Sequence, residues 1–155
     1  MQSISQQKQR LDYLFSVARQ LPDPEMQSHW SRYLCVLVSG FLENSVEACL
    51  SEYTTKVCNE IVSNFVSSKL RGFQNPKMGA ILEIVGSFNS EWRTELEKST
   101  AGQLSDSVNS IVSNRHKIAH GDSVSISMST LSSYYQDAVR VVGCLQQICG
   151  TKNYP

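Results

Sequence analysis

The sequence predicts an all-α fold of five to six helices, arranged as one helical-bundle domain over residues 1–155. Apolar residues recur three and four positions apart along most of the chain, a spacing that places them on one face of a helix. Prolines, glycines and short polar stretches separate these runs, as helix boundaries require. A length of 155 residues is typical of one domain and allows a real hydrophobic core.

The N-terminal half of the chain predicts two helical stretches. The first covers residues 3–20 and ends before two prolines. Asp23 is a suitable N-cap for the second stretch, with Pro24 in its first turn. That stretch spans residues 25–70 and fits either one bent helix or two. We expect any break near residues 51–55, where two β-branched threonines weaken a helix. The predicted apolar face of its later part comprises Val57, Cys58, Ile61, Val62, Phe65, Val66 and Leu70.

The C-terminal half predicts two short helices and then two longer ones. The short helices cover residues 77–88 and a segment that begins near residue 90. The third helix runs from about residue 103 to residue 120. Residues 122–127 alternate like a strand but are too isolated for a sheet, so they are interpreted as an extended connector. The last helix has a three-and-four apolar stripe, and residues 150–155 are expected to be frayed.

Charge and composition limit the classes of function. Fourteen basic and fourteen acidic residues give a formal net charge of zero, and only 18% of residues are charged. This balance argues against a strongly basic nucleic-acid-binding surface, although a small basic site remains compatible with it. Low net charge also permits self-association.

The cysteines and apolar runs indicate a soluble cytoplasmic protein with no membrane partner. Five cysteines form no CxxC pair and lie in helical patterns, so reduced thiols are expected and a zinc site is not. The polar N-terminus lacks the apolar region of a signal peptide. The longest uncharged apolar-rich run, residues 33–42, is too short to span a bilayer. The cysteines are Cys35, Cys49, Cys58, Cys144 and Cys149.

One short motif near the end of the third C-terminal helix concentrates the chemically useful side chains. Arg115 follows an apolar stripe and projects near the edge of the buried face. His116 and His120 are one helical turn apart, so their side chains can lie side by side. Gly121 is suited to end the helix, because glycine adopts a left-handed conformation at low cost. The simplest interpretation is helix capping, with cations placed favourably at the negative end of the helix dipole.

The motif Arg-His-Lys-Ile-Ala-His-Gly also resembles the signature of the HEPN superfamily (higher eukaryotes and prokaryotes nucleotide-binding). That signature is an arginine, a polar residue directly after it, and a histidine four to six positions after the arginine. Arg115, His116 and His120 occupy these places. The final Ala-His-Gly is similar to the branch known as RiboL-PSP-HEPN. The resemblance implies a metal-independent endoribonuclease in which the ribose 2′-hydroxyl attacks its own phosphate, in a toxin or an antiviral defence effector.

Each catalytic candidate has a role that suits this chemistry. His120 is the candidate for proton transfer, since imidazole titrates near neutral pH. Arg115 provides a planar fork of donors that fits phosphate oxygens. His116 is either a second proton-transfer group or a partner that orients His120. We expect neither a metal nor a cofactor.

Other polar residues are candidates with ordinary alternatives. Asn114 either positions a phosphate or holds the helix end, and Lys117 either contacts the RNA backbone or is simply exposed. The resemblance makes Glu43 a supporting residue, because this region of related proteins carries polar residues that face the site; a solvated helix face is the alternative. His29 is interpreted as a surface histidine near the start of its helix.

The resemblance further implies a homodimer in which the two motifs face each other and share one RNA phosphate. An antitoxin or another defence-system protein is the expected additional partner. Two other classes of function stay open. One is a non-catalytic HEPN module that binds a nucleotide or a protein, and the other is a helical assembly domain in which the motif is a coincidence.

Overall fold

The computed structural model describes residues 2–150, and over that range the chain forms seven α-helices without a β-strand. All seven helices contribute buried apolar side chains to one core. The predicted fraying concerns residues 150–155, of which 151–155 lie outside the described residues. The helices are α1 (Ile4–Arg19), α2 (Pro24–Val57), α3 (Glu60–Leu70), α4 (Met78–Phe88), α5 (Ser90–Thr100), α6 (Gln103–Ala119) and α7 (Met128–Ile148).

The all-α prediction is confirmed, but the predicted count of five to six helices is wrong. Seven helices are present in residues 2–150 because the stretch from 25 to 70 contains two, α2 and α3. Helix α2 ends at Val57, and Asn59 caps α3 by accepting a hydrogen bond from the backbone N–H of Val62 at 3.0 Å. An asparagine at this position satisfies one of the free donors of a new helix, which favours a restart.

The expected break at residues 51–55 is also wrong, because α2 continues through this segment. The hydroxyls of Thr54 and Thr55 both donate to the carbonyl oxygen of Ser51, each at 2.9 Å. These bonds satisfy the polar atoms of the threonines inside the helix, so their β-branched side chains are accommodated without ending it.

Helix α3 differs most from its sequence pattern. Its apolar face was predicted to be buried, but 82% of Ile61 and 61% of Phe65 are exposed, and Val62 is exposed as well; Val57 at the end of α2, predicted on the same face, is also exposed. Only Ser63 and Leu70 of α3 are buried. The reason is that α3 packs mainly against one neighbour, α2, and a single contact covers only a narrow edge of a helix.

The predicted packing of the motif helix is confirmed: α6 lies against both α2 and α7. The thiol of Cys35 on α2 lies 3.6 Å from the carbonyl oxygen of Ile111 on α6. Residues 122–127 then run as the predicted extended connector from α6 to α7, with Val124 and Ile126 buried.

Helix α2 is the one helix in residues 2–150 that is long and apolar enough to cross a membrane by length and composition. Its most apolar window of 18 residues has a mean hydropathy of 1.3, and 56% of that window is buried inside the bundle. A helix at the centre of a helical bundle has this composition too, and the buried share of α2 fits that position.

None of the five cysteines, which all lie within residues 2–150, forms a disulfide, and three of them are buried. Burial raises the pKa of Cys35 to about 11 and that of Cys149 to about 12. Because the thiolate is the reactive form, both thiols are chemically inert at neutral pH. Their contribution is to packing.

A buried polar cluster joins α6 to α7 and thereby positions the motif helix. The carboxyl oxygen Oδ2 of Asp137 on α7 accepts hydrogen bonds from the hydroxyl of Ser107 at 2.7 Å and from the amide of Gln103 at 3.0 Å. Asp137 and Ser107 are both nearly fully buried, whereas Arg140, at 3.9 Å from the other carboxyl oxygen, is mostly exposed.

We expect Asp137→Ala to lower the free energy of unfolding by about 2 kcal/mol or more, because it leaves the buried hydroxyl of Ser107 without its acceptor. The measurement is urea unfolding followed by circular dichroism. Arg140→Ala is the control, since its mostly exposed guanidinium lies 3.9 Å from the carboxylate and such a long, solvent-screened ion pair contributes at most about 1 kcal/mol. Equal losses in the two variants would contradict this account of the cluster.

Candidate functional site

The end of α6 confirms the predicted role of Gly121. This glycine has a φ of 77°, in the left-handed region that other residues avoid. Its N–H donates to the carbonyl oxygen of Ile118 at 3.1 Å, and the N–H of Asp122 donates to that of Lys117 at 3.0 Å. This pair of bonds is the Schellman motif, which turns the chain away directly after the C-cap residue His120.

The two motif histidines lie side by side, as their spacing predicted. The ring centroids of His116 and His120 are 4.3 Å apart, and the ring planes meet at 61°. Both side chains are exposed. Within residues 2–150, no carboxylate forms an ion pair or a hydrogen bond with either ring. A substrate or a partner chain therefore has open access to both rings.

Arg115 is half-buried and lines a cavity of about 390 Å³ beside α1 and α2. In the part of the chain that the structure describes, no hydrogen bond or ion pair engages its guanidinium. A charged fork of donors is thus held at a concave surface with its bonding capacity unused. Such an arrangement suits an anion with several oxygens, a phosphate above all.

Glu43 lines the same cavity as Arg115, so the structure brings the two predicted residues together. Its oxygen Oε1 accepts a hydrogen bond from the backbone N–H of Asn75 at 2.6 Å. Asn75 has a φ of 52° in the loop between α3 and α4. Glu43 therefore stabilises this loop, and its second carboxyl oxygen is left for a further donor.

Asn114 and Lys117 are placed differently from Arg115. Both line a shallow depression beside Tyr134 of α7, which is separate from the cavity of Arg115. The structure therefore does not bring these two predicted substrate contacts together with the arginine. His29 is exposed and lies 3.0 Å from a guanidinium nitrogen of Arg32, in agreement with its interpretation as a surface histidine.

The amino-acid sequence matches one protein family over nearly the whole chain. The sequence model of the RiboL-PSP-HEPN family matches residues 2–151. The chain belongs to the RiboL-PSP-HEPN family. It matches no curated protein and no solved structure. Membership agrees with the all-helical fold, and it indicates a ribonuclease-like or nucleotide-binding module as the general class of function.

The cavity of this RiboL-PSP-HEPN protein contains a second arginine that the sequence interpretation missed. Arg10 of α1 lines the cavity together with Arg115, although the two residues are far apart in the chain. The only local signal is its position beside Leu11 and before Leu14, which places it at the polar edge of an amphipathic helix. The approach of α1 to α6 across α2 is not encoded in that local pattern.

Most functional side chains of the RiboL-PSP-HEPN site are not acidic. Over residues 2–150, no group of three or more His, Cys, Asp or Glu side chains is arranged to hold a metal ion. Arg115 and Glu43 line the cavity, and His116 and His120 are exposed at the end of the motif helix. This set is suited to phosphate binding and proton transfer.

Proposed function

We propose that this protein is a metal-independent endoribonuclease whose catalytic residues are Arg115, His116 and His120. The observation that carries the proposal is the guanidinium of Arg115, which has no partner among residues 2–150 and lines a cavity, on the same helix end as two exposed histidine rings 4.3 Å apart. The RiboL-PSP-HEPN match over residues 2–151 supports it, because ribonuclease-like proteins belong to this class.

The reaction we propose is an internal transfer at one RNA phosphate. The ribose 2′-oxygen attacks phosphorus while a base removes the 2′-hydroxyl proton. The bond from phosphorus to the 5′-oxygen breaks, and an acid delivers a proton to that oxygen. The products are a 2′,3′-cyclic phosphate and a 5′-hydroxyl, so protons and bonds balance without any other reactant.

The predicted site residues divide the tasks of this reaction among them. Arg115 donates to the oxygens of the phosphorane, where negative charge increases in the transition state. His120 transfers the proton, and His116 either serves as the second proton-transfer group or orients His120. Asn114 and Lys117 bind the RNA strand along the neighbouring face of α6, and Glu43 supports the cavity that Arg115 lines.

The proposed active unit is a homodimer of single-domain chains, with the two-fold axis near His120. One chain has one Arg115 and one exposed histidine pair, and neither histidine is among the described residues that line the cavity of Arg115. A second copy doubles all of these groups at one point, and isologous pairing is the commonest way to do so. We further propose a cytoplasmic toxin or antiviral effector that an antitoxin or another defence protein controls.

The chemistry of the cleaved ends provides the first test of this proposal. We expect purified protein to cleave total RNA in the presence of EDTA and to leave 2′,3′-cyclic phosphate or 3′-phosphate ends. The reason is that the attacking oxygen belongs to the RNA itself. End-specific ligation and mass spectrometry of the fragments check this result. Cleavage that requires Mg²⁺ and leaves 5′-phosphate ends would rule the mechanism out.

The alternative is a RiboL-PSP-HEPN module that binds a nucleotide or a protein without cleaving RNA. The separation of the histidine pair from the cavity of Arg115 within one chain favours it. The same digest separates the two functions when it is combined with a binding titration. Nucleotide binding without any cleavage, in wild-type protein that is fully folded, would favour the binding module.

A further inference from the structure

The cavity beside α1 and α2 has a net positive charge among its described lining residues that one catalytic arginine does not explain. Arg10 and Arg115 both line it, and Glu43 is the one acidic residue among its described lining residues. Arg10 is exposed, and no hydrogen bond or ion pair within residues 2–150 engages its guanidinium. Two unused cations and one carboxylate leave the lining with a net positive charge, which attracts anions.

The volume and the apolar lining of the cavity suit a ligand larger than a single phosphate. Its volume of about 390 Å³ falls in the size range of sites for small organic ligands. Apolar side chains of Leu11, Leu14 and Leu37 line part of it. An apolar surface in the same cavity as two arginines fits a flat heterocyclic base joined to a phosphate.

The polar wall of the cavity is already ordered by its own hydrogen bonds. The amide of Asn44 on α2 donates to the side-chain oxygen of Gln7 on α1 at 3.1 Å. The amide of Gln7 in turn donates to the carbonyl oxygen of Gln2 at 2.9 Å. Because these groups hold one another, little conformational entropy is lost when a ligand binds against them. The second oxygen of Glu43 remains as an acceptor for a base or sugar donor.

Gly40 lines the cavity without placing a side chain in it. This glycine lines the cavity from the middle of α2, and a Cβ atom added to it would meet no atom of residues 2–150 within 4 Å. Glycine costs helical stability at such a position, roughly 1 kcal/mol relative to alanine. Space at the cavity is the structural consequence of having no side chain here.

We propose that this cavity binds the nucleotide unit of an RNA strand next to the cleaved bond, with Arg10 as a second phosphate-binding residue. In this arrangement Arg115 contacts the phosphate that reacts and Arg10 contacts the neighbouring phosphate. The base lies against Leu11, Leu14 and Leu37. The inference rests on the proposed function for the identity of its ligand, but the binding site itself needs only the residues of the cavity.

The test uses a short 2′-O-methyl RNA, which lacks the attacking hydroxyl and therefore reports binding without cleavage. Fluorescence anisotropy at several salt concentrations gives both the affinity and its salt dependence. We expect Arg10→Ala to weaken binding about tenfold or more and to reduce the salt slope by about 0.7, the value for one phosphate contact on a single strand. Arg93→Ala is matched in charge and lies outside the cavity, so it should change affinity by less than about twofold.

A substitution of Gly40 tests the cavity without altering any charge. Gly40→Leu should retain the helical circular-dichroism spectrum but weaken binding about tenfold or more, since its side chain occupies the space of the base. As a matched control, Gly79→Leu adds the same side chain at a helical glycine of α4 that lies outside the cavity, where an added Cβ atom meets no described atom within 4 Å, so this variant should fold normally and bind RNA nearly as well as wild type. Unchanged binding by Gly40→Leu would overturn the placement of the nucleotide in this cavity.

The outcomes separate this inference from the proposed function. If wild type cleaves RNA and Arg10→Ala matches Arg93→Ala in affinity and salt slope, the inference is wrong and the ribonuclease proposal stands. If wild type binds the 2′-O-methyl RNA through Arg10 but never cleaves RNA, the site stands and the catalytic proposal fails. Binding of free mononucleotides in place of the RNA strand would overturn the assignment to RNA.

Discussion

The His120→Ala and Arg115→Ala variants should each cleave RNA about 10²-fold or more slowly than wild type, without a matching loss of stability. Proton transfer and charge stabilisation in the transition state each contribute on this scale. Both side chains lie outside the core, and neither has a hydrogen-bonding partner in residues 2–150 whose loss would weaken the fold. The measurement is single-turnover cleavage of a defined RNA, combined with thermal unfolding of each variant.

Two matched variants sharpen this prediction. His29→Ala removes an exposed histidine 3.0 Å from Arg32 that lines neither the cavity of Arg115 nor the depression of Asn114 and Lys117, so cleavage should change by less than about twofold. Arg115→Lys keeps the positive charge but loses the planar fork of donors, and it should recover only part of the activity. Full activity of folded His120→Ala and Arg115→Ala proteins would show that the motif has no catalytic role.

A mixture of Arg115→Ala and His120→Ala subunits should be more active than either variant alone. In a composite site, the mixed dimer contains one intact Arg115 and one intact His120, whereas each parent dimer lacks one type of group entirely. The exposed pair of rings at the end of α6 and the separate cavity of Arg115 motivate this expectation. The measurement is cleavage after subunit exchange, with the fraction of mixed dimer determined by native mass spectrometry.

The control for subunit mixing is a preparation in which exchange is prevented. Variants combined only at the moment of the assay should show the sum of the two low parental activities. A monomeric mass at the assay concentration, together with no gain of activity after exchange, would contradict the shared site. In that case each chain would act alone, with Arg115 and His120 of the same molecule.

Local chemistry in the sequence determined the class of fold and most helix ends. The side chain of Asp23 accepts from the N–H of Glu25 at 2.9 Å and starts α2, as a capping residue does. Gly121 ends α6 in the left-handed conformation that the sequence predicted. Such signals can be interpreted without a structure, because they depend on hydrogen bonds and backbone angles within a few residues.

The position of Arg115 at the edge of the buried face and the pairing of two histidines were also predictable. A helix places residues at fixed angles and heights, so spacing alone determines which side chains share a face. The family resemblance depended on the same short segment, and the match over residues 2–151 confirms it. The break between α2 and α3 was not located correctly, because hydroxyl bonds to Ser51 offset the weak helix propensity of two threonines.

Only the tertiary structure decided which helices cover which faces. Periodicity describes an apolar face but not its neighbour, so the exposed Ile61 and Phe65 of α3 could not be told from core residues. The cavity that joins Arg10, Glu43 and Arg115 depends on how α1 and α6 lie against α2. Helix crossing and register follow from the packing of many side chains at once, and no local pattern in the chain contains that information.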